Sequence, residues 1–148
     1  MSSESIQLGP DAQEMCQRLL RMDTTNPPGN ERPAADYLAD KLGEVGLETT
    51  ILESAPGRAN LITRYRGTGS LAPVLLTAHL DVVEAYPEHW KYPPFSGEIA
   101  EGCLWGRGAI DMKNMAAMSA AVMRRLARER VALSRDVIFA AVADEEAG

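Results

Sequence analysis

The sequence predicts an α/β domain built on a mostly parallel central sheet, and three observations predict it. Residues 74–78 (Val-Leu-Leu-Thr-Ala) and 137–143 (Val-Ile-Phe-Ala-Ala-Val-Ala) are short runs with almost nothing polar in them. That is the pattern of strands buried on both faces of a parallel sheet. Between the two runs lies a helical stretch, as a strand–helix–strand crossover requires. The polar chemistry collects after each run, in His79-Leu-Asp81 and in Asp144-Glu145-Glu146. Open α/β sheets bind ligands outside the carboxyl ends of their strands.

Taken in order, residues 11–22 place Met15, Leu19 and Met22 at helical spacing with Cys16 and Leu20 alongside, after a start signal at Pro10-Asp11. Asp23-Thr-Thr-Asn-Pro-Pro-Gly-Asn30 ends that helix, since two prolines and a glycine make a loop. A second helix starts near Pro33, a favoured first-turn residue, and runs through Tyr37, Leu38, Leu42 and Val45 to Gly46. Residues 47–52 and 60–66 alternate as strands around the turn signal Ala55-Pro-Gly57. The stretch 84–108 is aromatic and turn-rich, with a hairpin expected around Glu101-Gly102. From Met112 to about Arg130 the third helix sets Met115, Met118, Ser119, Val122 and Leu126 near one face, a stripe read as core.

Composition narrows the function. The chain has 148 residues, 45% hydrophobic and 24% charged, which is ordinary for a globular domain with a real core. A net charge of −6 argues against a nucleic-acid partner, and the Arg124-Arg125 and Arg128-Glu-Arg130 clusters are read as a solvated helix face. Cys16 and Cys103 make neither a disulfide framework nor a thiolate metal motif. The first residues lack a signal-peptide pattern and no run is long enough to span a bilayer, so no membrane partner and a cytoplasmic setting are expected. The chain stops at Gly148, directly after a strand and an acidic cluster, and the expectation is that it is cut short.

The crossover has a geometric consequence. Two parallel strands bring His79-Leu-Asp81 and Asp144-Glu145-Glu146 to one sheet edge, and the intervening helix begins at that edge with Asp111. Each group has a plainer reading: Asp111 as a helix cap, the acidic cluster as a solvated loop, His79 as a loop histidine. Their joint placement points to a shared metal site. Histidine with carboxylates and no thiolate suits zinc, with cobalt or manganese as alternatives. Of two adjacent glutamates, one can bind metal while the other stays free as a base. Gly106-Arg-Gly108 is a weak phosphate-loop signal, because a third glycine is missing and the preceding segment reads as hairpin.

His79-Leu-Asp81, Gly106-Arg-Gly-Ala-Ile-Asp111-Met-Lys113 and Asp144-Glu145-Glu146-Ala-Gly148 resemble the successive signatures of the M20 family of dinuclear zinc hydrolases. Thr25-Asn-Pro-Pro-Gly-Asn-Glu31, Gly57-Arg-Ala-Asn60 and residues 90–97 also look like that family. The resemblance implies a three-layer αβα zinc-hydrolase-type domain, of which residues 1–148 are the N-terminal portion. It implies two zinc ions per complete site: His79 on one, Glu146 on the other, Asp111 bridging both. Asp81 would then orient His79, and Glu145 would be the general base. It further implies hydrolysis of an amide or peptide bond in a small peptide or N-acyl amino acid by the complete enzyme, a homodimer in the full-length protein, and further ligands and a lid or dimerisation domain beyond Gly148. Asn114 stands where many members have glycine. For the 148 residues in isolation, an inactive fragment that folds partly and binds metal weakly or not at all is the alternative expectation.

Overall fold

A computed structural model describes residues 7–147. Helix α1 spans Leu8–Leu20 and α2 Arg32–Gly43; strands β1 (Thr49–Ala55) and β2 (Arg58–Tyr65) follow, then β3 (Val74–His79). A short hairpin, β4 (Glu98–Ala100) and β5 (Cys103–Trp105), precedes α3 (Lys113–Glu129) and β6 (Val137–Val142). Helix α1 begins at Leu8 rather than near Asp11, with Pro10 in its first turn, where no intrahelical N–H is required. Glu101 and Gly102, both at positive φ, make the β4–β5 turn the sequence predicts.

The central sheet has the order β1-β2-β6-β3. Only β3–β6 is parallel; β1–β2 and β2–β6 are antiparallel. The expectation of a mostly parallel sheet therefore gives way to a mixed one among the described strands. The tight Ala55-Pro-Gly57 connection between β1 and β2 can join only antiparallel neighbours.

The register sorts the sheet into two faces. Leu61, Ala141 and Ala78 share one row, and Thr63, Phe139 and Leu76 another, on the side where α2 and α3 pack. Leu61, Phe139 and Ala141 are fully buried there. On the opposite side Ile62, Ala140 and Thr77 align, as do Arg64, Ile138 and Leu75. Among the described residues no helix covers that second side, and β3 is an edge strand with Leu75 60% exposed. Burial of β3 on both faces, expected from its apolar run, is thus not what the fold does.

Two readings of α3 also change. Met115, Met118 and Val122 are exposed; Ser119 is buried as expected, within a stripe of Ala116, Ala117, Ala120, Ala121 and Met123. Small side chains let α3 approach both α1 and the sheet closely, so the alanines with Met123, and not Met115 and Met118, are core. Arg124 is not solvated. It is buried and donates to Asp11 and Glu44, joining α3 to α1 and to the end of α2.

Candidate metal centre

Past the end of β3 the chain stays extended. Leu80 N–H donates to the Val142 carbonyl, and Val82 pairs with the loop after α1 through Thr24 and Asn26. Leu80 and Val82 are fully buried, so the alternation of the strand places His79 and Asp81 together on the polar side. His79 Nδ1 lies 2.9 Å from the Asp81 main-chain carbonyl and 3.6 Å from its carboxylate. A carbonyl only accepts, so Nδ1 carries the proton and Nε2 is the atom turned to the site. The family resemblance implies that Asp81 orients His79; the Asp81 atom within hydrogen-bond distance of Nδ1 is its backbone oxygen.

The Asp81 carboxylate is itself buried and holds other partners. It accepts from Glu145 N–H at 3.2 Å, Glu146 N–H at 3.0 Å and the Asn26 side-chain amide at 2.8 Å. These bonds draw the acidic turn after β6 against the end of β3. Asp144, at φ +70°, begins that turn in the left-handed region.

Asp111 arrives on the loop between β5 and α3, exposed and just ahead of the helix rather than at its first residue. Two features place it. Gly108 has φ +88°, and a Cβ there would stand 2.9 Å from Val82 and 3.1 Å from the Lys113 side chain. Lys113 is fully buried, and its ammonium donates to the carbonyls of Leu19 and Met22 at the end of α1. Burial holds its pKa down to about 8.

His79 Nε2 is 3.1 Å from Asp111 Oδ1 and 3.8 Å from a Glu145 carboxylate oxygen. One donor atom from each of His79, Asp111 and Glu146 falls within 4.8 Å of the others. Desolvation raises the Glu146 carboxyl above its usual range, helped by the charges of Asp111, Glu145 and Asp81 and opposed by His79. Burial by itself would lower His79, but its bonds to the Asp81 carbonyl and to Asp111 outweigh that and raise it. Anionic oxygens crowded around an imidazole lone pair form a donor set suited to a divalent cation, whose charge relieves their repulsion. The residues fit such an ion.

Sequence reasoning gave no role to Asn26, Glu31, Arg58 or Asn60, which also reach this region. The motifs containing them were visible, but the contacts are long-range and no local pattern encodes them.

The sequence profile of Peptidase family M20/M25/M40 matches residues 75–148. The chain is 39% identical over 137 residues to a succinyl-diaminopimelate desuccinylase of Methylorubrum extorquens, covering 89% of this chain and 35% of that protein. It is 34% identical over 131 residues to aminoacylase-1 of Sus scrofa, covering 87% and 32%. In structure it resembles an M20 family metallo-carboxypeptidase from Sulfolobus solfataricus, with TM-score 0.80, 20% identity and coverage of 93% and 31%. It also resembles human carnosine dipeptidase 1, with TM-score 0.78, 19% identity and coverage of 95% and 34%. The chain therefore spans about a third of the length of the curated relatives it matches. With the matched profile covering the whole stretch from β3 to the acidic turn, the chain belongs to Peptidase family M20/M25/M40.

Proposed function

We propose that the protein carrying this chain is a metal-dependent hydrolase of amide or peptide bonds in small peptides or N-acyl amino acids. The observation that carries the proposal is the convergence of His79, Asp111 and Glu146 donor atoms within 4.8 Å, with Glu145 beside them. The names of the relatives, a desuccinylase, an aminoacylase and a dipeptidase, support the substrate class. In this reading residues 1–148 supply part of a catalytic domain, and the remaining donors of a two-cation centre come from chain outside them. Zinc, with cobalt or manganese as substitutes, is the proposed ion. Both cysteines are free thiols, in keeping with a cytoplasmic setting. Among the described residues no helix is long and apolar enough to cross a membrane.

A bound divalent cation supplies Lewis acidity to the scissile carbonyl and lowers the pKa of water at the site. His79 and Glu146 would each hold an ion, with Asp111 as a ligand shared by both. The Asp81 carbonyl keeps the His79 proton on Nδ1, leaving Nε2 to bind. Glu145, whose side chain is exposed toward the site, takes the proton of the attacking water on a carboxylate oxygen and returns it to the leaving nitrogen. The test is an assay of the protein as encoded, loaded with zinc or cobalt, against dipeptides and N-acyl amino acids. Chelator-sensitive hydrolysis is expected; turnover that survives chelation would contradict the reading.

A further inference from the structure

The two motifs Thr25-Asn-Pro-Pro-Gly-Asn-Glu31 and Gly57-Arg-Ala-Asn60 contribute no metal donor, yet their side chains meet at the acidic turn. Asn26, itself buried, donates through Nδ2 to Asp81 at 2.8 Å and to Asp144 at 3.0 Å. Arg58 donates through Nη2 to the same Asp144 oxygen at 2.7 Å. Asn60 Oδ1 accepts the N–H of Ala143 at 2.9 Å, and Asp81 accepts those of Glu145 and Glu146. Four consecutive residues, 143 to 146, are thus each held by a side chain from elsewhere in the fold.

Arg58 is anchored in its turn. Glu31, fully buried, takes two of its N–H groups at 2.9 and 3.1 Å, and the Pro28 carbonyl takes a third at 2.9 Å. A Cβ at Gly29 would stand 2.4 Å from the guanidinium, so that glycine is what lets Arg58 lie across the proline loop. A turn with a non-glycine residue at φ +70° and three successive acidic side chains does not keep one shape unaided.

We propose that Asn26 and Arg58 are positioning residues of the metal centre, which act through Asp144 and Asp81 to fix the turn that presents Glu145 and Glu146 opposite His79. The inference rests on the metal-site reading above and gives the two motifs a task within it. Partners that orient metal ligands typically change metal affinity or activity by about 10–100-fold when removed.

The test is a cobalt(II) titration of the protein as encoded, followed by visible absorption, with thermal melting of the metal-free protein alongside. Arg58→Met would strand the buried Glu31 charge and threaten folding, so the network is cut at Asn26→Ser and, from the turn side, at Asp144→Ser, whose side chain is 61% exposed. Both variants should melt near the parent, bind cobalt about 10–100-fold more weakly and show an altered absorption band. The double variant should lose less than the sum of the two singles, because they share one contact. Folded variants with the parent's cobalt affinity and spectrum would overturn the positioning role and leave the metal site standing. A parent that binds no cobalt would overturn the metal site and this inference with it.

Discussion

At the scale of single residues, neighbours in sequence have different surroundings because the turn aims them differently. Glu146 is half-buried and joins the His79–Asp111 donor cluster; Glu145 is exposed, with its carboxylate 3.8 Å from His79 Nε2. Glu146→Ala should therefore lower zinc content after dialysis. Glu145→Gln should keep the zinc and lose about 10²–10⁴-fold in kcat, the usual contribution of a positioned acid–base group. Metal analysis beside kinetics decides this, and zinc lost only from Glu145→Gln would mean that the roles are exchanged. The meeting of His79, Asp111 and Glu146 was legible in the sequence because each stands at the end of a recognisable element, in a motif. What holds them was not legible. The acceptor for His79 is a carbonyl rather than a carboxylate, and the amide of Asn26 reaches residues 55 and 118 positions away.

At the scale of elements, helices and strands follow from periodicity, but the side each buries follows from packing. An apolar run fits a strand buried on both faces, yet β3 lies at the sheet edge with Leu75 exposed. Phe139→Ala, in the fully buried row, should cost about 3–5 kcal/mol. Leu75→Ala should stay within about 0.5 kcal/mol. Equal costs in urea unfolding would place the core on the wrong face. Asp136, just before β6, gives a second handle. Gly67 N–H and then Arg64 hold its carboxyl below the ordinary value of 3.8. A carboxyl depressed in the fold contributes stability that is full above its unfolded value and fades as pH falls through the depressed one. Asp136→Asn should thus flatten the acid limb of the stability curve, so that parent and variant converge as the pH falls below 3.8. Parallel curves from circular dichroism across that range would rule the linkage out.

At the scale of the molecule, the β3–α3–β6 unit does what its sequence pattern suggests. It brings the ends of two parallel strands and the entry to a helix to one rim, where His79, Asp111 and Glu146 meet. The antiparallel β1–β2 pair was legible as strands but not as neighbours of β6, since sheet order depends on pairings that no local stretch specifies. These two strands matter to the rim because β2 begins with Arg58 and Asn60, which grip the acidic turn. The central claim is that this rim is a divalent-cation site. Its most direct test is calorimetric titration of the protein as encoded with zinc, beside His79→Ala, Asp111→Ala and Glu146→Ala. Each substitution should weaken zinc binding by at least about tenfold while the fold persists; unchanged binding in all three would contradict it.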